Sequence, residues 1–331
     1  MANHAQATGL KGWIGFRPQI KVVDCTIRDG GLMNSHLFPT EVVKAVYEAD
    51  VAAGIDYMEI GYKASRKFAS RDQFGAWKFC DEDDIRRVVG DGPTAVKISV
   101  MADTGRTDYH TDILPRDKSV VSMVRTAAYI HQVPAAIEMI KDAADKGYET
   151  TINLMAISTV NETEIDNALE LLAASPVGTL YVVDSFGTLY AEQIQNLVEK
   201  FLKYAMPVEK QVGIHTHNNM QLAYANTIEA IIRGASMLDA SHAGLGRGAG
   251  NCQLELLLSF LHKPKYHLRP ILECIQNHVE PMREQLRWGF GIPYMVTGYL
   301  NQHPKAAMEF MEKTDGKEIV KFYDSAISPD G

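Results

Sequence analysis

The sequence predicts a (β/α)8 TIM barrel followed by a small C-terminal helical extension. Apolar runs of strand length alternate with amphipathic segments of helix length eight times between residues 21 and 262. Such alternation is typical of α/β domains whose parallel strands are joined by right-handed crossovers. The 331 residues exceed the roughly 250 that are typical of one barrel, so an appended segment is expected. An open, doubly wound sheet is the alternative architecture.

The expected organisation is an N-terminal leader over residues 1–20, the barrel over 21–262 and the helical extension over 263–331. The predicted strands cover residues 21–28, 55–61, 95–101, 120–130, 149–157, 179–184, 211–215 and 236–241. The predicted helices cover residues 39–53, 66–87, 134–146, 162–174, 191–205 and 221–233, and a last barrel helix follows the glycine-rich segment 244–250. Proline near a helix start, as at Pro39, and glycine after a helix end, as at Gly54 and Gly147, indicate these boundaries.

Composition and charge exclude several classes of function. Hydrophobic residues make up 46% and charged residues 22% of the chain, the balance of a soluble globular protein. The net charge of −8, without a Lys/Arg stripe, argues against a nucleic-acid partner. No apolar run reaches the roughly 18 residues needed to span a membrane, and the first twenty residues lack the apolar centre of a secretory signal. The four cysteines have no CxxC spacing, which argues against a thiolate zinc site and against an oxidising compartment. Taken together, these observations lead us to expect a cytoplasmic protein that acts on small molecules.

Two histidines at the end of the seventh strand indicate a metal site. Side chains at i and i+2 of a strand point to the same side, so His215 and His217 can converge on one ion. Such a site needs an anionic oxygen ligand as well. Asp29, at the end of the first strand and just before Gly30, is the expected donor.

The carboxyl ends of all barrel strands face one mouth, where the active sites of such enzymes are built. The polar residues expected there are Arg28, Asp29, Glu59, Lys63, Arg125, Asp184, Ser185, His215, His217, Ser241 and His242. Taken singly, several have a purely structural interpretation, such as a Glu59–Arg28 pair or barrel salt bridges at Lys63 and Arg125. Together they predict one polar cavity that holds a metal.

The glycine-rich loop Gly244–Gly250 also has two interpretations. Its free amides resemble a phosphate cradle, but it lacks the lysine of a P-loop and the GxGxxG order of a dinucleotide fold. We favour a close approach of backbone to the site, with Asn251 able to reach the metal or the substrate.

Blocks along most of the barrel resemble the metal-dependent pyruvate aldolase and acyltransferase superfamily, the DRE-TIM metallolyases. The blocks are Arg28-Asp29-Gly30, Glu59, Tyr181–Ser185, His215-Thr216-His217-Asn218, Asp239-Ala240-Ser241 and Ala243–Asn251. The superfamily includes hydroxymethylglutaryl-CoA lyase, isopropylmalate synthase and 4-hydroxy-2-oxovalerate aldolase. The blocks are most similar in sequence to those of 4-hydroxy-2-oxovalerate aldolase.

The resemblance implies a role for each matching residue. Asp29, His215 and His217 would hold a divalent metal, usually Mn²⁺ or Mg²⁺. Arg28 would stabilise an enolate oxygen, with Glu59 orienting Arg28. Ser185 and Asn251 would line the substrate pocket, and Asn251 is also a candidate for an additional metal ligand. Arg125, on the fourth strand, is a further residue that we expect to bind the substrate.

Two departures from the family pattern bear on the reaction. The hydroxy-oxovalerate aldolases have a proton-transfer histidine where this sequence has Leu32, and His36 matches a different family histidine. The acyl-CoA lyases have a catalytic cysteine where this sequence has Gly248. The acid/base group would therefore be another one, such as a metal-bound water or a tyrosine of the extension, and Tyr294 is the candidate.

The expected function is a class II, metal-dependent aldolase that cleaves or forms a C–C bond of a 4-hydroxy-2-oxo acid through a pyruvate-type enolate. The alternatives are an acyl-CoA-dependent synthase or lyase of the same superfamily and a binding barrel without turnover. A homo-oligomer and an aldehyde dehydrogenase docked on the extension are partner hypotheses that the resemblance raises.

Overall fold

The chain folds as a closed barrel of eight parallel strands, as the sequence predicts. The structure is a computed structural model that describes residue 17 and residues 19–262, 264–314 and 316–328, so most of the predicted leader lies outside the described residues. The strands are β1 Lys21–Asp24, β2 Tyr57–Tyr62, β3 Lys97–Asp103, β4 Val121–Tyr129, β5 Glu149–Met155, β6 Thr179–Asp184, β7 Gln211–Thr216 and β8 Met237–Ala240. Each strand pairs in parallel with the next, and β8 closes the barrel by pairing with β1.

Thirteen α-helices accompany these strands in the described part of the chain. The helices of the barrel are α1 Thr26–Gly30, α2 Thr40–Ala53, α3 Glu82–Val89, α4 Tyr109–Asp112, α5 Val133–Asp145, α6 Glu162–Ala173, α7 Ala191–Ala205, α8 Ala223–Arg233 and α9 Leu254–Leu261. The helices of the extension are α10 Leu268–Cys274, α11 Ile292–Tyr299, α12 Lys305–Thr314 and α13 Ile319–Ile327.

The main core lies between the strands and the helices that surround them. Every residue of β2 and of β6 is buried, which explains why these strands are nearly continuous apolar runs in the sequence. Local signals set the helix ends. The Asn161 side chain accepts the backbone N–H of Glu164 at 3.0 Å at the start of α6, and Gly54 ends α2 with φ of 75°.

The first predicted strand is too long. It was expected over residues 21–28, but β1 ends at Asp24, and Arg28 and Asp29 lie on the short helix α1. The Asp24 side chain accepts the Thr26 backbone N–H at 3.1 Å, which turns the chain out of the strand at this point. The Arg-Asp pair is therefore presented by a helical turn above the end of β1.

The continuous helix expected over residues 66–87 is also wrong. Most of the segment is a series of turns with one 3₁₀ helix at Ala76–Lys78, and only α3 is an α-helix. The left-handed backbone of Cys80, with φ of 47°, and the extended backbone of Asp81 interrupt any helix that would join the two. The acidic residues at 82–84 then favour the first turn of α3.

The extension packs part of its helices into a second, smaller apolar cluster. Tyr294 and Val296 of α11, Ala307 of α12 and Phe322 of α13 meet Ala249 of the glycine-rich loop there. The extension thus rests on the loop that follows β8, at the mouth of the barrel. Among the described residues, no helix combines the length and the hydropathy needed to cross a bilayer.

His36 is buried in the loop after α1 and gives the fold a specific pH dependence. Its ring packs edge-on against Tyr62 at 5.2 Å, and its Nδ1 atom has no hydrogen-bond partner among the described residues. Burial lowers the pKa of His36 to about 3, whereas in the unfolded chain it stays near its ordinary value of 6.5. Below pH 6.5 the unfolded chain therefore binds a proton that the folded chain excludes, so this residue destabilises the fold as the pH falls.

We expect His36→Asn to reduce that pH dependence, because asparagine tolerates the left-handed backbone of this position without titrating. Between pH 7 and pH 5 the wild type should lose about 2 kcal/mol more of its free energy of unfolding than the variant. Urea denaturation of both proteins at the two pH values measures the difference. Parallel losses in the two proteins would show that His36 is not excluded from protonation.

Candidate active site

Asp29 stands at the centre of the barrel mouth. It is fully buried on α1, and both of its carboxylate oxygens lack a hydrogen-bond partner among the described residues. Buried carboxylates are ordinarily satisfied by donors or by metal ions. The two oxygens of Asp29 are therefore available as ligands.

His215 of β7 and His217, the residue after this strand, place their imidazoles beside Asp29. The Nε2 atoms of His215 and His217 lie 3.4 and 3.6 Å from Asp29 Oδ2. The other nitrogen of each ring makes a hydrogen-bond contact away from Asp29. His215 Nδ1 contacts Asp239 Oδ2 and His217 Nδ1 contacts the Asp184 carbonyl, each at 2.9 Å. When each Nδ1 donates its proton to that acceptor, each Nε2 directs a lone pair toward Asp29.

These three residues fit a divalent cation. One ligand atom of each lies within 4.8 Å of the ligand atoms of the other two, and all three side chains are buried. A carboxylate with two imidazoles is a donor set used by Mn²⁺, Fe²⁺, Co²⁺ and Zn²⁺. The unpartnered oxygens of Asp29 and the unpartnered Nε2 of His215 are the observation that favours an ion over a simple hydrogen-bonded cluster.

The electrostatics of Asp29 and His217 suit metal ligands at neutral pH. Burial by itself would raise the pKa of Asp29, but Arg28 and the two imidazoles hold that pKa well below its usual range. Burial lowers the pKa of His217 to about 4. Asp29 is therefore an anion and His217 is neutral, the protonation states in which each can coordinate a metal.

Arg28 is joined to the histidines by a chain of buried ion pairs beneath the cavity. Its Nε donates to Glu59 Oε2 at 2.6 Å, and Arg125 Nη1 lies 2.9 Å from the same oxygen. Arg125 Nη2 in turn donates to Asp239 Oδ2 at 2.5 Å, and Asp239 holds His215. Burial opposes ionisation of Asp239, but Arg125 and His215 lower its pKa to about 2, so the chain stays charged.

This network fixes the direction of the Arg28 guanidinium. Glu59 binds its Nε, and Nη1 lies 3.4 Å from Asp29 Oδ1, while the residue is 5% exposed. The remaining N–H groups of Arg28 therefore face the cavity beside the candidate metal ligands. The predicted pairing of Glu59 with Arg28 is present in the structure.

A cavity of about 90 Å³ opens above these groups. Of the predicted site residues, Arg28, Asp29, Ser185, His215 and His217 line it, and so does Leu32. The Ser185 hydroxyl oxygen accepts a hydrogen bond from the Ala156 backbone N–H at 2.8 Å. This contact fixes the loop after β6 against the loop after β5.

Besides Glu59, which lies beneath the cavity, three residues proposed for the site from sequence lie outside the cavity wall. Arg125 is fully buried in the middle of β4, one layer below, where it pairs with Glu59 and Asp239 and has no route to a substrate. Asn251 is buried behind His217, bridged to it through the backbone, and both amide atoms of its side chain lack partners among the described residues. Tyr294 packs its ring against Gly248 within the small apolar cluster.

Two other strand-end residues also point away from the cavity. Lys63 Nζ donates to the Cys80 carbonyl at 2.7 Å, and His242 Nε2 contacts Asp50 Oδ1 at 3.1 Å in the layer between β1 and α2. They belong to the packing of the barrel wall.

The cavity wall also contains charged and titratable residues that the sequence did not single out. Arg247 of the glycine-rich loop and His303 of the extension line it, and Asp103 lies at the end of β3. Arg247 could have been found from the glycine-rich loop itself, because it is the one charged residue in that segment. His303 carried no comparable signal, since it lies in a loop far from the barrel in sequence.

Comparisons with known proteins agree with this architecture. The family model described as HMGL-like matches residues 19–278. A 4-hydroxy-2-oxovalerate aldolase of Carboxydothermus hydrogenoformans is 30% identical over 313 residues, covering 91% of this chain and 90% of that protein. One of Bacillus cereus is 27% identical over 311 residues, covering 91% and 89%.

Solved structures of two other proteins have a fold similar to that of this chain. The N-terminal domain of a putative aldolase from Bacteroides vulgatus is 27% identical, with a TM-score of 0.75, and the match covers 91% of this chain and all of that one. The HMG-CoA lyase from Brucella melitensis shares the fold at 17% identity, with a TM-score of 0.64 over 80% of this chain and 99% of that one. The family model covers well over half of the sequence, so this chain belongs to the HMGL-like family.

Proposed function

We propose that this protein is a metal-dependent aldolase that splits a 4-hydroxy-2-oxo acid into pyruvate and an aldehyde, or joins the two in reverse. The observation that carries the proposal is the convergence of Asp29, His215 and His217 beside the Arg28 guanidinium in one cavity. The similarity to proteins named 4-hydroxy-2-oxovalerate aldolase supports the same reaction class, a carbon–carbon lyase.

The ion that we propose for this site is Mn²⁺ or Mg²⁺, held by Asp29, His215 and His217. When bound, it supplies a Lewis acid that polarises the carbonyl oxygen of the substrate. Asn251 is a candidate for a further ligand, because its amide oxygen is buried beside His217 without a partner among the described residues.

Arg28 supplies the electrophilic stabilisation that belongs to the protein itself. In the cleavage direction the 4-hydroxyl gives its proton to a base such as water, and the C4–O bond becomes the carbonyl of the aldehyde as the C3–C4 bond breaks. The electron pair of the C3–C4 bond forms the enolate of pyruvate, which then takes up a proton at C3. The fixed guanidinium donates hydrogen bonds to the enolate oxygen as its negative charge develops. Glu59 keeps the donors in place, so no reorganisation is needed at that moment.

Leu32 leaves the wall beside Arg28 without the histidine that transfers protons in the hydroxy-oxovalerate aldolases. It packs with Tyr62, Met101, Ala127 and Met155, which makes this part of the cavity apolar. We infer that the aldehyde half of the substrate is more apolar or bulkier than acetaldehyde, and that the short 4-hydroxy-2-oxovalerate is a poor substrate.

Replacing Leu32 tests this inference. Leu32→His should increase kcat on 4-hydroxy-2-oxovalerate by about 10²-fold or more, because a positioned general base typically contributes 10²–10⁴-fold. Tyr294→Phe, measured on the same substrates, should lower kcat with metal binding intact if Tyr294 carries the proton instead. If the wild type cleaves 4-hydroxy-2-oxovalerate rapidly and neither substitution changes the rate, then position 32 is not a vacant acid/base position and Tyr294 does not transfer the proton.

Two other functions remain as alternatives that experiments separate. An acyl-CoA-dependent synthase or lyase is disfavoured by Gly248, which stands where the lyases of this superfamily have a catalytic cysteine. A binding barrel without turnover has no need of a metal at His215 and His217. An aldehyde dehydrogenase partner and a homo-oligomer stay hypotheses that co-purification and light scattering would address.

A coupled assay tests the proposed function. The purified chain, freed of metal and then reloaded with Mn²⁺ or Mg²⁺, is given a panel of 4-hydroxy-2-oxo acids of increasing chain length. Released pyruvate is followed through lactate dehydrogenase and NADH. We expect metal-dependent pyruvate release from at least one longer member, whereas a metal-loaded protein that releases pyruvate from none would contradict the proposal.

A further inference from the structure

Arg247 is a cationic group in the cavity wall that has no anionic partner in the described part of the chain. Its Nη2 donates to the Ser185 carbonyl at 2.9 Å, and its Nη1 lies 2.9 Å from His303 Nε2. Its Nε is buried and makes no hydrogen bond to any described residue. Arg28 and Arg125, the two buried arginines nearby, are each paired with carboxylates, so Arg247 differs from both.

A partly buried guanidinium at this position is energetically unfavourable unless an anionic group binds it. Removing a charge from water without pairing it is unfavourable, and buried charges in proteins are normally paired. Consistent with this, burial lowers the pKa of Arg247 below its ordinary value. Arg247 is half-buried with its Nε enclosed, so the free protein holds a partly desolvated cation that an anionic ligand in the cavity would stabilise.

His303 faces a hydrogen-bond donor at both of its ring nitrogens. The Lys305 backbone N–H points at its Nδ1 at 3.1 Å, while Arg247, which can only donate, points at its Nε2 at 2.9 Å. A neutral imidazole accepts a hydrogen bond at only one nitrogen, so the two contacts cannot both be satisfied. If Arg247 turns to an anion, His303 can accept from Lys305 at Nδ1 and donate its Nε2 proton to the same anion.

The loop that carries His303 is fixed to the barrel, so this pair is held over the cavity. The Asn301 side chain donates to the Ser158 carbonyl at 3.1 Å and meets the Ser158 hydroxyl at 2.7 Å. The Phe186 ring contacts the His303 ring edge-on at 6.1 Å. The extension thereby contributes to the cavity through His303.

We propose that Arg247 and His303 form a binding subsite for the carboxylate of the 2-oxo acid, an assignment that rests on the proposed function. The subsite lies on the β6–β8 side of the cavity with His217 and Ser185. The opposite side is apolar around Leu32 and Met101 and carries Asp103.

This division orients the substrate in the cavity. A second anionic group on the aldehyde half would have to approach the Asp103 carboxyl, which would repel it. The carboxylate next to the keto group, in contrast, would reach Arg247 while the keto oxygen faces Arg28. Arg247 thus selects for the 2-oxo acid and does not select among aldehydes.

The test is the affinity of the full-length, Mn²⁺-loaded protein for oxalate and for pyruvate, measured by calorimetry. Oxalate resembles the enolate of pyruvate and contains no aldehyde portion. Arg247→Gln should weaken both affinities by about 10- to 100-fold, as expected for loss of a charged hydrogen-bonding partner. Arg247→Lys should recover part of the loss, because it restores the charge but not the planar fork. His303→Gln should weaken both ligands by a smaller factor.

Lys321→Gln is the matched control, because it also removes one positive charge from the extension, at a side chain that is 79% exposed and outside the cavity. It should leave both affinities unchanged. Thermal melting and titration with Mn²⁺ alone, in the absence of oxalate, show whether each variant is folded and holds metal.

Wild-type oxalate affinity retained in metal-loaded Arg247→Gln would overturn the assignment, as would a wild-type protein that does not bind oxalate. The proposed function is judged separately, by Mn²⁺ binding and pyruvate release in the wild type, so the two can fail independently.

Discussion

Arg28→Lys is expected to lower kcat by about 10²-fold or more while leaving the metal bound. The loss follows from geometry, because a planar guanidinium can bind Glu59 through Nε and still donate two directed hydrogen bonds to an oxyanion. An ammonium group offers a point charge on a flexible chain and cannot keep both contacts. Removal of one oxyanion-hole donor in enzymes costs about 10²–10³ in kcat, which sets the expected magnitude.

Arg66→Lys is the matched control for this substitution. Arg66 is also an arginine paired with an acid, Asp81, but its side chain is 65% exposed in the loop after β2 and does not line the cavity. The control should have wild-type kcat and KM. Near-normal kcat in a folded, metal-loaded Arg28→Lys protein would exclude Arg28 from stabilisation of the enolate.

Replacing Asp29 and Asp239 with asparagine should weaken metal binding to two different extents. Asp29→Asn removes an anionic ligand, so we expect no stoichiometric metal and no activity above the chelated control. Asp239→Asn leaves the three proposed ligands in place, but it weakens the hydrogen bond to the His215 imidazole and removes one of the two carboxylate partners of Arg125. Such outer-shell changes typically cost 10–100-fold in metal affinity or activity.

Metal content after dialysis and titration with Mn²⁺ measure both effects. Asp184→Asn serves as a control, because His217 contacts the backbone carbonyl of residue 184, which the substitution keeps. It should bind Mn²⁺ nearly as well as the wild type. Equal affinities in Asp29→Asn and wild type would mean that the metal, if any, is held elsewhere.

The sequence predicted the barrel because its two periodicities are physical consequences of burial. Strands of a parallel barrel are buried on both faces, so they appear as apolar runs such as Tyr57–Tyr62, and the intervening helices are apolar on one side only. The convergence of His215 and His217 was predictable for a similar reason, since strand periodicity puts residues i and i+2 on one side. The local turn at Asp24 was not, because a side chain that caps its own backbone leaves no periodic signal.

The parts of the site that the sequence missed depend on contacts between distant segments. Asp239 was part of a recognised block, but its place between Arg125 and His215 follows from closure of the barrel between β8 and β1. His303 reaches the cavity only because the extension folds back over the glycine-rich loop. Arg125 shows the converse error: it lies in the middle of β4, and the register of β4 with its neighbours puts it below the mouth instead of in the wall.

The most direct test of the central claim is exchange of the methyl protons of pyruvate for deuterium. Cleavage ends with protonation of the enolate at C3, so by microscopic reversibility the same site must remove a proton from pyruvate. In D₂O, the Mn²⁺- or Mg²⁺-loaded protein should cause the methyl signal of pyruvate to disappear from the proton NMR spectrum. The metal-free protein and the metal-loaded Arg28→Lys variant should exchange at least about 10²-fold more slowly. No exchange by a wild-type protein that binds both metal and pyruvate would contradict an enolate mechanism at this site.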